Sequence, residues 1–548
     1  VVGEAKSPET VYEAFAASAA KTPDADFLFI PESATRGWAD RRLVYSYGQA
    51  HAEILKLRER YAAAGVGPGH RVAILLDNRP VFFFNWLALN SLGASVAPIN
   101  PDYRREEMSY LLGHSDAVLC VALAHRVPEL KEAAATTGRP LPVIDAEQAY
   151  VEIPAVTPAS GDDRAALLRE AALLYTSGTT GRPKGCMLSN EYHLLLGKWY
   201  GGLGGYLKFE PGKSRILNPL PMFHMNALST SSMAMIVSGG CIIQLDRFHP
   251  KSWWQDVAES GATIIHYLGV MPAILLQLPE GKWDRAHNVV CGFGSNAEPE
   301  HHKAFEERFG FPLVEGWAMT ETGCGGTMMA SEEPRHIGTR CFGRVPDYLE
   351  VRLVDDNDQD VPKGDPGELL VHSKGPNPRY RFFSGYLKDE AATEEAWRGG
   401  WWHTGDIARF GPDGSLHFVD RKKSLIRRSG ENISALEVEG VLQKHPAVSQ
   451  IGVTSVRDVE RTEEVIACVV PAPGVTLDMA AAESIVQWCL ERIAYFKAPG
   501  WVAFRDAIPV TATLKIQRAE LKKLAETLPG QTGVFDTRHL KKRTTKAA

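Results

Sequence analysis

The densest chemistry in the chain is the run YTSGTTGRPKG (175–185). Four hydroxyls, Thr176, Ser177, Thr179 and Thr180, stand among Gly178, Gly181 and Gly185, with Lys184 near the end. Glycines let backbone N–H groups approach an anion closely, hydroxyls add donors, and a lysine supplies a point charge for phosphate oxygens. A polyphosphate cradle is the chemistry these residue types suggest. A plain flexible loop has the same composition, so the residues alone leave both readings open. The run is not a Walker A loop, because Pro183 stands where that motif, counted from Gly178, needs its second glycine.

TSGTTGRPKG resembles the phosphate-loop signature of the adenylate-forming superfamily, which holds acyl-CoA ligases, adenylation domains of peptide synthetases and beetle luciferases. Further segments match in the family's order: NPLPMFHMNA (218–227), GWAMTETG (316–323), GWWHTGDIARFGPDG (400–414), VDRKKSLIRRSGENIS (419–434) and PVTATLKIQR (509–518). The resemblance runs from about residue 10 to about residue 525, and RRSGENIS with FKAP (496–499) is most similar to carnitine/crotonobetaine-type and related acyl-CoA ligases.

The resemblance implies roles residue by residue. Glu321 would ligate Mg2+, a hard cation that takes few protein ligands when it arrives on ATP. Thr320 would bond the α-phosphate region. Gly316, Trp317, Ala318 and Met319, with Ser295, Asn296 and Ala297, would contact the nucleotide, Trp317 replacing the family's usual tyrosine against adenine. Asp406 would accept both ribose hydroxyls, which a two-oxygen carboxylate can do, and Arg421 would close on the same ribose. Lys515 would carry the charge that develops when a carboxylate attacks the α-phosphate, although Leu514 stands where the family has glycine. Lys423 would be the hinge, Gly430 would flank the pantetheine path of coenzyme A, and His224 would block or open the acyl site. The candidate acyl pocket is Trp199, His224, Met225, Gly292, Ser295, Trp317, Met319, Gly323 and Cys324. No carboxylate among them would pair an amino-acid ammonium, so a compact aliphatic or aryl acid is expected.

Two other motifs point elsewhere. GFGSNA (292–297) fits a dinucleotide fingerprint and would suit an NAD-binding dehydrogenase, but the acidic residue such a site needs is not evident. His301-His302 lacks the further ligands of a metal site. The expected reaction is therefore carboxylate, ATP and CoA to acyl-CoA, AMP and pyrophosphate. A stand-alone enzyme loading a carrier protein is the alternative, disfavoured because no carrier segment follows Lys515 here.

The elements that must position these residues read as α/β. RVAILLD (71–77), SVAPIN (95–100), AVLCVA (117–122) and AALLYTSG (171–178) are buried strands separated by helical runs such as VFFFNWLALNSLGA, the pattern of parallel α/β units. Residues 349–373 read as an antiparallel β region. Beyond 423, strands and a helix (ESIVQWCLERIA) predict a small α+β domain. The expected architecture is a large N-terminal domain, 1–420, of α/β layers plus a β-rich part, and a small mobile C-terminal lid, 421–548. The basic ending HLKKRTTKAA reads as a solvated tail.

The 548 residues, 44% hydrophobic and 23% charged with net charge -6, suit a globular enzyme and give no reason for a nucleic-acid partner. The eight cysteines form no C-x-x-C pair and fit a reducing cytoplasm. No signal-peptide pattern and no apolar run of membrane-spanning length is expected, and the chain is read as a monomer or homodimer without a membrane partner.

Overall fold

The computed structural model describes residues 7–103, 105–159, 161–176, 183–428, 431–458, 461–493, 495–511 and 515–541. The chain forms two compact units, Val1–Val351 with Val371–Trp402, and Arg352–Leu370 with His403–Ala548. Leu349–Val354, Gly367–Ser373, Trp402–Phe410 and Leu416–Arg421 form a four-stranded sheet in that order. The architecture is the mixed α/β one expected, a large unit of sheets and helices and a smaller β-rich unit.

The large unit contains a six-stranded sheet in the order Val143–Asp145, Leu119–Ala122, Arg71–Leu75, Ser95–Pro98, Glu170–Thr176, Lys184–Ser189. All neighbours are parallel except the last pair. Every residue of Glu170–Thr176 but the last is buried, as a strand covered on both faces requires. The helix Pro80–Ser91 starts on a proline, whose missing N–H costs nothing at a first helical position. Phe82, Phe83, Phe84, Trp86 and Leu87 are all buried, so this helix is covered around its circumference.

An eight-stranded sheet lies in the same unit. Its parallel centre runs Leu313–Trp317, Cys291–Ser295, Ile264–Leu268, Arg215–Asn218, Cys241–Gln244. GFGS of the motif falls inside this sheet, with Asn296 and Ala297 just after the strand, which removes the dinucleotide reading. Gly292 and Gly294 are strand residues, where an added Cβ would come 2.7 Å from Leu313 Cδ2 and 2.3 Å from Tyr267 O. The glycines therefore serve close strand packing, and do not form a turn that presents N–H groups to a pyrophosphate. Asn296 and Ala297 donate their N–H groups to the buried Glu315 carboxylate at 2.9 and 2.8 Å. His302 is likewise a satisfied core histidine, 3.1 Å from both Glu306 Oε1 and Leu313 O.

In the small unit, Glu431–Ser434, Leu425–Arg428, Thr462–Pro471, Trp501–Phe504 and Val534–Asp536 follow one another across a sheet, and Val448–Asp458 pairs with Thr462–Pro471. The helices Ala435–Leu442 and Met479–Leu490 contribute Val438, Leu442, Ile485 and Val486 to its core. Ser434 caps the first of these helices and also donates to Asp420 at 2.9 Å. Of the expected solvated tail, 539–548, residues 542–548 lie outside the described residues, and the expectation fails at Lys541. Its ammonium is buried and meets Glu464 at 2.5 Å, and burial pushes its pKa down to about 8 against the pull of that carboxylate. A lysine can be buried when its charge is paired. All eight cysteines are buried and free. Among the described residues, no helix is long and apolar enough to cross a membrane.

Candidate functional site

Thr176 ends one strand and Lys184 begins the next, and the two are register partners, so both ends of the candidate phosphate loop are held together by the antiparallel ladder. Ser177, Gly178, Thr179, Thr180 and Gly181 lie outside the described residues. One face of the helix Arg105–Ser115 braces both ends of the loop. Tyr110 Oη donates to Pro183 O at 3.0 Å, and His114 Nδ1 lies 2.9 Å from Tyr175 Oη. The two rings stack with centroids 5.3 Å apart, as residues four apart on a helix can. Burial, and then Lys388, push the His114 pKa down from the ordinary imidazole value.

The segment 384–387 runs beside the strand that leaves the loop. Ser384 N–H donates to Met187 O, Met187 N–H to Gly385 O and Leu387 N–H to Gly185 O, with a bridge between Cys186 and Tyr386. That pairing brings Tyr386 to Glu321, 65 residues earlier in the chain, and its hydroxyl donates to Glu321 Oε1 at 3.0 Å. Thr176 Oγ1 and Cys186 Sγ lie 3.4 and 3.7 Å from the same oxygen. Lys184 Nζ sits 4.8 Å over the Tyr386 ring and 3.5 Å from Asp389 Oδ2.

Glu321 is 7% exposed. Its Oε1 is engaged, while Oε2 accepts no hydrogen bond among the described residues. An anionic oxygen left available beside a lysine and the ends of a phosphate loop fits a hard divalent cation that arrives with phosphates. No group of three or more His, Cys, Asp or Glu side chains among the described residues could hold a metal by itself.

Met319, Thr320 and Gly323 follow the strand Leu313–Trp317. Gly316 is needed as glycine because a Cβ would meet the Phe293 ring at 2.6 Å. Trp317 is buried beside Phe342, with ring centroids 6.1 Å apart, and Ala318 is exposed. Tyr192, on the helix Asn190–Gly201, donates to Thr320 O at 2.9 Å and lies 3.9 Å from Met225 Sδ. It thereby joins two sets of residues far apart in sequence. His224 is exposed, its ring 4.5 Å from Phe223, and Met225 leads into a π-helix, Asn226–Ser231. π-Turns frequently mark functional sites. Cys324 is buried, and Trp199 stacks on Tyr200 at 6.1 Å. Ser295 stands at the C-terminal end of its strand, beside Leu268.

The small unit holds the second cluster. Asp406 and Arg421 are cross-strand partners, and Arg421 Nε lies 3.1 Å from Asp406 Oδ1. Asp406 is 3% exposed whereas the Arg421 side chain is 64% exposed, so the carboxylate is held and the guanidinium is reachable. Glu368 holds the flanks of this pair. It accepts from Gly405 N–H at 3.2 Å and pairs with Lys422 at 2.6 Å. Burial opposes its charge, and His403 and Lys422 overcome that, bringing its pKa to about 2. Lys423 lies in a short turn, Lys422–Ser424, and Gly430 falls outside the described residues.

Lys515 is exposed, and Thr511 N–H donates to Lys515 O at 2.8 Å; residues 512–514 lie outside the described residues.

Tyr386, Tyr192, Tyr110, His114 and Glu368 are absent from the sequence-based candidates. No local motif marks them, because each acts through strand pairing or across long sequence separations.

A family model described as AMP-binding enzyme matches residues 15–387, and its C-terminal domain matches residues 437–515. The chain belongs to the AMP-binding enzyme family. Crotonobetaine/carnitine–CoA ligase of Escherichia coli (strain SE11) is 30% identical over 491 residues, covering 87% of this chain and 93% of the relative. ATP-bound MatB from Rhodopseudomonas palustris shares the fold at a TM-score of 0.78 and 24% identity, over 94% of this chain and 99% of that one. The o-succinylbenzoate CoA synthetase (MenE) of Bacillus subtilis, in complex with the acyl-adenylate intermediate OSB-AMP, superposes with a TM-score of 0.76 at 25% identity, over 93% and 97%. This AMP-binding enzyme is an AMP-forming ligase by class.

Proposed function

We propose that the enzyme joins a compact aliphatic or aryl carboxylic acid to coenzyme A through an acyl-adenylate. The observation that carries this reading is the meeting of Thr176, Lys184, Tyr386 and the buried Glu321 at the phosphate loop. In the first half-reaction a carboxylate oxygen bonds to the α-phosphorus of ATP and the bond to the β-phosphate oxygen breaks, releasing pyrophosphate. Lys184 and the loop hold the phosphates, and Lys515 offsets the charge that gathers as two anions meet. Mg2+ held at Glu321 would neutralise phosphate charge. Asp406 and Arg421 hold the ribose, and Thr320 the α-phosphate. In the second half-reaction the CoA sulfur bonds to the acyl carbon and AMP leaves. The part that moves between the two is placed from residue 421 onward, turning at Lys423, with the thiol passing Gly430 and His224 gating the acyl site. Two-state hinges of this kind let one site serve two arrangements.

A panel of carboxylic acids, scored for pyrophosphate and AMP and then for thioester with CoA, tests this. ADP in place of AMP would refute the adenylating step. Acyl-AMP formed normally but passed only to a carrier protein would replace CoA as acceptor.

A further inference from the structure

Arg381 has no place in the chemistry above. Among the described residues its guanidinium meets no carboxylate and donates no hydrogen bond. It lies instead on aromatic faces, 4.3 Å from the Tyr348 ring centroid and 5.4 Å from that of Tyr380. The side chain is half-buried. Its backbone is left-handed, with φ +75°, an uncommon conformation for an arginine that must be held in place by its surroundings.

Those surroundings are the candidate acyl wall. Gly325 N–H donates to Arg381 O at 3.4 Å. A Cβ on Gly323 would come 2.7 Å from that same oxygen and 2.5 Å from the Tyr192 ring, so glycine is required for the approach. The Arg381 charge is felt at Cys324, where it opposes the burial that pushes the thiol up to about 12. It is felt again at Tyr348, whose hydroxyl burial and Cys324 also raise to about 12, with Trp199 opposing. Arg381 thus lies over the ring of a phenol whose hydroxyl also responds to Trp199 and Cys324. The Tyr348 Oη atom is buried and its O–H finds no acceptor among the described residues, since the group lying toward it, the Trp199 indole N–H, can only donate.

A buried hydroxyl without an acceptor is costly, and a half-buried guanidinium with no ion pair among the described residues is free to take one. One carboxylate would serve both, because its oxygens accept from a guanidinium fork and from a phenol together. A cationic group in the same place would meet the like charge of Arg381. We propose that Arg381 and Tyr348 recognise a second carboxylate at the far end of the acyl substrate, so that the acid activated is a dicarboxylic acid attacked at one end. This deepens, and rests on, the adenylating reading of the site.

The test compares acids of matched size by pyrophosphate release: hexanoate with adipate, benzoate with isophthalate, and 4-(trimethylammonio)butanoate as the cationic arm. The parent should favour the dicarboxylate in each pair. Arg381→Asn removes the guanidinium and suits a left-handed backbone. It should lower kcat/KM for the dicarboxylate at least about tenfold more than for its monocarboxylate partner, the effect of one hydrogen bond to a charged group. Arg381→Glu should move the preference toward the trimethylammonium acid. Tyr348→Phe should raise KM for the dicarboxylate more than it lowers kcat. A parent that prefers monocarboxylates or the cationic acid overturns the proposal. So does an Arg381→Asn protein that loses the same factor on every acid, or one in which only the KM for CoA rises. If no acid releases pyrophosphate, the adenylating reading itself falls.

Discussion

Replacing Tyr386 with phenylalanine isolates one hydrogen bond at the centre of the proposed phosphate site. The ring would keep its contacts with Phe383, 4.9 Å between centroids, and with Lys184, 4.8 Å above it. Only the hydroxyl that donates to Glu321 Oε1 at 3.0 Å is lost. The remaining neighbours of that oxygen, Thr176 at 3.4 Å and Cys186 at 3.7 Å, are too long to replace it. A hydrogen bond to a charged group contributes about 1.5–3 kcal/mol, which is roughly a 10- to 150-fold change in an equilibrium. If the bond aims Glu321 at a cation brought by ATP, the Mg2+ concentration for half-maximal pyrophosphate release should rise by about tenfold or more, with the acid KM moving little. The assay is initial-rate pyrophosphate release against Mg2+ at saturating ATP and acid. A purely structural role would lower the rate at every Mg2+ concentration by one factor. A folded Tyr386→Phe protein with an unchanged Mg2+ midpoint would refute the placement of Glu321 as the metal ligand.

Asp406→Ala removes a 3% exposed carboxylate proposed to take two ribose hydroxyls, and equilibrium binding should show ATP and AMP affinity falling on the order of tenfold or more. Lys515→Ala should slow acyl-AMP formation by about 100-fold yet still make acyl-CoA from supplied acyl-AMP, and equal loss in both steps would assign Lys515 to folding instead. Gly430→Leu should do the reverse, read out as acyl-AMP that accumulates without thioester. The Glu306 carboxyl is held at about 2, because hydrogen bonds from His302 and Arg335 outweigh the burial that opposes its charge. A depressed carboxyl contributes stability that is complete above its unfolded value near 4.5 and is lost as pH falls toward 2. Urea midpoints of the parent and Glu306→Gln should therefore differ most at pH 6 and converge as the pH is lowered to 3.

What the sequence determined by itself was the order of its local chemistry. YTSGTTGRPKG shows glycines, hydroxyls and a lysine within a few residues, the types a phosphate cradle would use, and the family resemblance rather than the composition chose that reading over a plain loop. The strands Arg71–Leu75, Ser95–Pro98 and Leu119–Ala122 were readable, since short apolar runs between helices have few other uses. The cross-strand pairing of Asp406 with Arg421 lay beyond such reading, because register is set by the sheet and by no residue alone. Tertiary structure also decided that GFGS (292–295) is packed strand, that Lys541 is buried on Glu464, and that His224 stands exposed. Tyr386 reaches Glu321 because 384–387 pairs beside the strand leaving the phosphate loop, and Arg381 reaches the candidate acyl wall because Gly323 leaves room for its carbonyl. These contacts join residues tens to hundreds of positions apart, and closing such chain lengths is the work of the whole core. A window of ten residues carries no record of it.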